Sequence, residues 1–290
     1  MKGFNNMGNT CYLNAGLQMI IQNVDLCRLI LNYSQQSIIL NKISFLISEY
    51  YDENSGSITP NQIKQIVEEK QNIFNGCEQQ DSTEFVICLL NIIDDEIKKI
   101  NVNSKGIDDI FGINLNVRIK CKYNNCLKIY NNKEKNNFLI LDIDQNCSSL
   151  DDLYRKFKSS DNLVEDNQYF CENCKTKRNA SKRYQVIDWP NYLFINLKRF
   201  RQIGNNFSKQ PQPIQINLSW RHDMNLMGAI IHYGNINYGH YVYVGKQSDD
   251  NWYLFNDASI SLIKNENELT GILNNAYWLI YKKLIMTNIK

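Results

Sequence analysis

The chain has 290 residues, 43% of them apolar, enough to bury one large core or two small ones. Its 32 basic and 30 acidic residues leave a formal net charge of only +2, with no Lys/Arg-rich block, so a nucleic-acid binder is disfavoured. The N-terminus lacks the apolar run of a signal peptide and no stretch of about 18 apolar residues occurs, so a protein of the cytosol or nucleus with no membrane contact is expected.

Thiols stay reduced in those compartments, so the nine cysteines read as metal ligands, a nucleophile or small buried hydrophobes rather than a disulfide framework. In chain order, Leu13, Leu17, Ile20, Ile21 and Val24 recur at helical spacing and predict a buried helix from Cys11 to about Val24. Further helices are expected over Ile38 to Tyr51 and, after the Thr59-Pro60 start signal, over Asn61 to Lys70. Asp81 with Glu84 three residues on resembles a capping box, and Phe85, Leu89, Leu90, Ile93 and Ile97 continue it as an apolar stripe. After about residue 110 short β-branched and aromatic runs take over: Leu115–Lys120, Phe138–Ile143, Arg183–Ile187, Tyr192–Leu197, Gly228–His232, Tyr241–Val244 and Trp252–Phe255. A helical first third followed by strands implies an α+β architecture. The Asn-, Gln- and Ser-rich stretch from Gln202 to Gln215 reads as a surface loop, and no repeat or linker divides the chain.

A thiol becomes a nucleophile when it is held as thiolate, and a helix N-terminus lowers its pKa through free N–H groups and partial positive charge. Cys11 has that position, behind the Gly8-Asn9-Thr10 turn, although a lone cysteine there is more often a small buried hydrophobe. Asn6 can aim its amide at an oxyanion. Any base must come from His222, His232 or His240. Gly239-His240-Tyr241 lies between two strand patterns, and Asn256 or Asp257, after Trp252-Tyr253-Leu254-Phe255, can accept from the other ring nitrogen and fix the tautomer.

The run from Gly3 to Gln18, with Asn6, Gly8-Asn9-Thr10-Cys11-Tyr12 and Asn14 in order, resembles the cysteine box of the ubiquitin-specific proteases; Phe4, Leu13 and Ala15 are its mild departures. Gly239-His240-Tyr241 and the Trp252 to Asp257 run resemble that family's histidine box. Tyr192 to Phe200, with Leu197-Lys198-Arg199-Phe200, and Ala276 to Tyr281 resemble two of its strands. The resemblance implies a papain-like cysteine protease fold with helical thumb, β-rich palm and β fingers. It would form one catalytic domain over 1–290, the thumb near 1–105, palm and fingers over 106–290, and the fingers near 115–185. It assigns Cys11 as nucleophile, His240 as base, Asn6 as oxyanion donor and Asn256 as orienter, with Asp257 the runner-up. His232 fits an upstream position of the same box and reads as structural or cleft-lining; His222 reads as a surface residue.

Gln79-Gln80-Asp81-Ser82-Thr83-Glu84-Phe85 matches a further family segment. Asp81 and Glu84 share one helix face, where two carboxylates can hold the arginines of ubiquitin's tail as well as cap the helix. Gln80 is assigned to the same cleft, and Tyr241 to the passage for the terminal Gly-Gly. Cys171-x2-Cys174 and Cys121-x4-Cys126 can supply four thiolates to a structural zinc. The x4 spacing departs from the family's two C-x2-C knuckles, and a metal-free finger is the alternative. Cys27 and Cys88 read as core, and Cys77 and Cys147 carry no assignment.

The expectation is therefore a deubiquitinase hydrolysing isopeptide or peptide bonds at ubiquitin's C-terminal glycine, monomeric and without a catalytic cofactor. The alternatives are a non-catalytic ubiquitin-binding adaptor on the same fold, a protease for a ubiquitin-like modifier, and a zinc-ribbon interaction module with an incidental Cys–His pair. Because the cysteine box opens two residues from the start, no separate targeting or recruiting domain is expected.

Overall fold

The computed structural model describes residues 1–54, 56–203, 206–235 and 238–284. Five main helices come first: α1 (Cys11–Ile21), α2 (Val24–Tyr33), α3 (Ile38–Tyr51), α4 (Asn61–Lys70) and α5 (Ser82–Ile100), followed by a short α6 (Asp108–Phe111). All eleven residues of α1 are buried, its two polar ones, Asn14 and Gln18, donating to Asp257 and to the Lys2 carbonyl, and it packs against α5 and the sheet. The apolar run expected to continue to Val24 is split, because Asn23 caps a new helix by accepting the Leu26 N–H at 2.9 Å.

The strands follow as β1 (Ile113–Cys121), β2 (Ile129–Asn136) and β3 (Leu139–Asp142), then α7 (Leu150–Phe157), β4 (Ser160–Leu163), β5 (Tyr169–Cys171) and β6 (Thr176–Arg178). Next come β7 (Ala180–Asp188), β8 (Tyr192–Lys198), β9 (Phe200–Ile203), β10 (Asn206–Lys209), β11 (Ser219–Trp220), β12 (Met224–Gly234), β13 (Gly239–Lys246) and β14 (Trp252–Asn256). The chain closes with β15 (Ser259–Leu262), α8 (Glu266–Leu273) and β16 (Ala276–Lys283). The large sheet runs β15-β14-β13-β12-β16-β8-β3 with β11 beside β12, and a four-stranded sheet runs β2-β1-β7-β4. The segment read as a loop from Gln202 instead contains the antiparallel β9–β10 pair; Gly204 and Asn205 lie outside the described residues.

The central strands of the large sheet are apolar at almost every position because both faces are covered. Their period of two divides them between two cores. Phe194, Ile230, Tyr243, Trp278 and Ile280 face the helices, while Leu193, Ile195, Val242, Leu279 and Tyr281 fill the opposite core with α7 and α8. No helix among the described residues is long and apolar enough to cross a membrane.

Arg199 lies at the end of β8, 1% exposed, and has no carboxylate partner among the described residues. Its guanidinium instead donates to four carbonyls: Ala276 at 2.7 Å, Asn274 at 2.7 Å, Gln212 at 2.8 Å and Gln210 at 3.1 Å. Burial pulls its pKa down to about 10. This fork ties the exit of β8 to the start of β16. Arg199→Met leaves those acceptors unsatisfied, and a loss of about 3 kcal/mol is expected as a lower denaturant midpoint at unchanged slope.

Candidate active site

Asn6 organises the turn before the nucleophile. Its Oδ1 accepts from the Gly8 N–H at 3.0 Å and the Thr10 N–H at 3.1 Å, while Thr10 Oγ1 accepts from the Met7 N–H at 2.9 Å. Gly8 and Asn9 take positive φ of 98° and 53°, which turns the chain sharply into α1. Cys11 is the first residue of that helix, among its unpaired N–H groups, and is 4% exposed.

β12 and β13 form an antiparallel pair that carries the imidazole, and β14 runs beside β13. His240 Nε2 lies 2.7 Å from Asn256 Oδ1; since that oxygen only accepts, Nε2 carries the proton and Nδ1 is left for sulfur. The half-buried ring interacts with the Cys11 side chain, and this contact, opposed by burial and aided by Asn256, pushes its pKa up to about 9. Asp257 faces the other way. Its Oδ2 accepts from Asn6 Nδ2 at 2.9 Å and its Oδ1 from Asn14 Nδ2 at 2.7 Å. Of the adjacent pair, Asn256 therefore lies on the ring and Asp257 holds the nucleophile segment.

The stretch before α5 bridges both halves, which was not legible in the sequence. Gln79 Nε2 donates to the Gly239 carbonyl at 3.1 Å, and its Oε1 accepts from the Gly239 N–H at 3.2 Å. A side-chain amide thus pairs with one residue of the base strand as a neighbouring peptide would. Two residues earlier the Cys77 carbonyl accepts from Asn9 Nδ2 at 2.8 Å, on the nucleophile turn. Gly239 must be glycine, because a β-carbon there collides with His232 Nε2. His232 is 4% exposed, packed by Phe200 and Tyr241, and held neutral by burial and nearby Lys209, with its pKa pushed down to about 3. His222 sits on an exposed turn against Trp189.

At the start of α5, Asp81 accepts from the Thr83 N–H at 2.5 Å and, through its other oxygen, from the Tyr277 hydroxyl at 2.6 Å. The expected capping box is therefore only half formed: Asp81 caps, while Glu84 is exposed and has no partner among the described residues. Burial, then Asp81, raises the Glu84 pKa. Gln80 is half-exposed beside them. Tyr241, 7% exposed, packs beneath the site against His232 and Tyr277. A cavity of about 910 Å³ lies elsewhere, between α2, α3 and the strand ends, with neither Cys11 nor His240 in its lining.

Cys121, Cys126, Cys171 and Cys174 come together at the tip of the four-stranded sheet with all sulfurs within 4.8 Å of one another. A tetrahedral zinc with about 2.3 Å Zn–S bonds separates its sulfurs by about 3.8 Å, and Cys126 and Cys171 are 3.7 Å apart. The residue after each second cysteine, Leu127 and Lys175, is left-handed (φ 49° and 53°), so the x4 pair turns back on itself as the x2 pair does. Tyr130 and Asn173 surround the sulfurs, with the Tyr130 hydroxyl 3.4 Å from Cys171 and Asn173 Nδ2 3.3 Å from Cys126. The donor set fits a structural zinc.

The fold and the Cys–His–Asn arrangement are those of the papain-like thiol hydrolases. The family model described as ubiquitin carboxyl-terminal hydrolase matches residues 2–281. The probable ubiquitin carboxyl-terminal hydrolase 16 of Schizosaccharomyces pombe is 30% identical over 97% of this chain and 66% of its own length. Ubiquitin carboxyl-terminal hydrolase 4 of Arabidopsis thaliana is 25% identical over 97% of this chain and 93% of its own, and that of Candida glabrata is 23% identical over 97% and 41%. The chain thus spans well under the full length of some of its curated relatives. A chain of the SAGA DUB module Ubp8/Sgf11/Sus1/Sgf73 bound to monoubiquitin has the same fold, with a TM-score of 0.83 at 23% identity over 98% of this chain and 69% of that one. The chain belongs to the ubiquitin carboxyl-terminal hydrolase family.

Gln79→Ala should lower kcat by about tenfold and the melting temperature by only a few degrees, since two neutral hydrogen bonds of about 1 kcal/mol each position Gly239. Metal analysis of purified protein should return about one zinc per chain, and Cys171→Ser should abolish it.

Proposed function

We propose that this chain is a deubiquitinase that hydrolyses the isopeptide or peptide bond after ubiquitin's C-terminal glycine. The observation that carries the reading is the His240 ring, 2.7 Å from Asn256 Oδ1 and interacting with the Cys11 side chain. The raised His240 pKa lets the ring take the Cys11 proton and hold it as imidazolium at neutral pH. Cys11 Sγ attacks the glycine carbonyl carbon, and the oxyanion takes hydrogen bonds from the Cys11 N–H and the second Nδ2 hydrogen of Asn6. His240 then gives its proton to the leaving amine as the C–N bond breaks, leaving a thioester on Cys11. A water, deprotonated by His240, attacks the thioester; ubiquitin leaves as a carboxylate and the thiolate is restored.

Glu84, exposed and unpaired among the described residues, and Asp81 beside it supply negative charge for the arginines of the tail. Gln80 belongs to that contact surface, and Tyr241 supports the passage from below. The four-thiolate zinc site holds the tip of the sheet rigid and takes no part in the chemistry. The protein acts as a monomer in the cytosol or nucleus, where reducing conditions keep Cys11 and the zinc thiolates available.

A ubiquitin probe with a C-terminal electrophile should form a covalent adduct, absent in Cys11→Ala and slowed about a hundredfold or more in His240→Ala. A probe built on a ubiquitin-like modifier that reacts faster than the ubiquitin probe would reassign the substrate. Because His240 is raised above its ordinary value, its imidazolium and the stability that contributes are complete below about pH 6.5 and are lost as pH rises through about 9. The alkaline limb of kcat/KM should therefore lie near pH 9, and Asn256→Ala, which removes a bond that favours the imidazolium, should move that limb to lower pH.

A further inference from the structure

The four-stranded sheet segregates its charges by face. In register, Arg118 of β1 stands directly opposite Arg183 of β7, while Asn116 of β1 pairs with Lys133 and Asn114 with Lys135 on β2. Together with Lys120, two residues along β1, these side chains share the face turned away from the core, and all five are exposed. The sheet's Glu134 and Asp161 lie on the other face, since they pair with Leu115 and Lys182. The basic face carries one carboxylate in register, Asp188 at its base, which accepts from Asn114.

Few of these charges are neutralised within the chain. Lys135 reaches Asp108 at 2.7 Å, and Arg183 spends its Nε on the Lys158 carbonyl at 3.0 Å. Arg118, Lys120 and Lys133 have no acidic partner among the described residues. Lysines on β2 have an ordinary explanation, because that strand is an edge and charge keeps it from pairing with another chain. That explanation does not reach β1 and β7, which are interior strands. Two arginines opposed across a ladder destabilise a sheet, so the arrangement works against folding unless an anion sits between them.

We propose that this outer face is a docking surface for an acidic segment of a partner protein, its carboxylates held bidentately by Arg118 and Arg183 and flanked by Lys120 and Lys133. Arginine forks on neighbouring strands suit carboxylates spaced along an extended chain. A nucleic acid fits less well. The face carries no aromatic side chain on which bases stack, and the chain's isoelectric point is only about 8.0.

The test is fluorescence anisotropy of labelled poly-glutamate with the intact chain. Binding that weakens steeply with added salt is expected, and Arg118→Ser/Arg183→Ser should reduce affinity by about tenfold or more. Lys282→Ser, on β16 away from this face, should leave binding unchanged. Hydrolysis of a fluorogenic ubiquitin substrate by the double variant should match the unaltered chain, which shows that it is folded. Arg118→Ser alone should raise the melting temperature by relieving the opposed charges. Poly-glutamate binding that is absent, or indifferent to the double substitution, overturns the proposal. So does a nucleic acid of equal charge that binds more tightly through the same arginines.

Discussion

The arrangement of the candidate site depends on one residue, Asp257. Asp257 sits at the turn after β14 with φ of 50°, and it gathers three groups from the first fourteen residues. Its carbonyl accepts from the Phe4 N–H at 3.0 Å, and its carboxylate from Asn6 and Asn14. Gly3 allows the approach, since a β-carbon there collides with the backbone of Asp257 and Ala258. Asn256 is the neighbouring residue and meets His240. One turn therefore fixes the Cys11 segment by one residue and meets the His240 ring by the next, so sulfur and imidazole are positioned from a common point.

The two histidines of the β12–β13 pair show how strongly local placement sets chemistry. They lie on adjacent rungs, His232 opposite Tyr241 and His240 opposite Tyr233, so the pleat sends them into different surroundings. His232 is enclosed by aromatic rings and close to Lys209, and its pKa falls to about 3. His240 meets a thiol and an amide oxygen, and its pKa rises to about 9. Burial opposes charge in both, and only the presence of a partner for the charged form separates them. His232 instead supports Gly239 from below, and Gln79 holds the same residue from the side.

Much of this was legible in the sequence where the signal was local. Six of the seven strand patterns from Leu115 to Phe255 fall within observed strands, and Phe138–Ile143 overruns β3 by one residue at each end, since β-branched and aromatic runs report burial directly. Features that depend on long-range placement were not legible. The break at Asn23 was masked by an apolar run continuing through Val24, and α7 and α8 are only eight residues each, although the Ser149–Asp152 capping box marks the start of α7. The polar strand β2 is stabilised by pairing with β1 rather than by its own residues. Spacing alone left Asn256 and Asp257 open, because only the tertiary fold decides which of two adjacent side chains turns inward. The Gln79 bridge joins positions 160 apart, and a glutamine carries no sign of such a role.

The most direct measurement of the central claim is an NMR titration of the His240 ring in the unaltered chain and in Cys11→Ala. The account predicts a midpoint near 9 that falls substantially once the sulfur is removed, while His232 stays neutral through the whole range above about 3. A His240 midpoint near the ordinary value of about 6.5 in both proteins would mean that thiol and imidazole do not meet, and would contradict it.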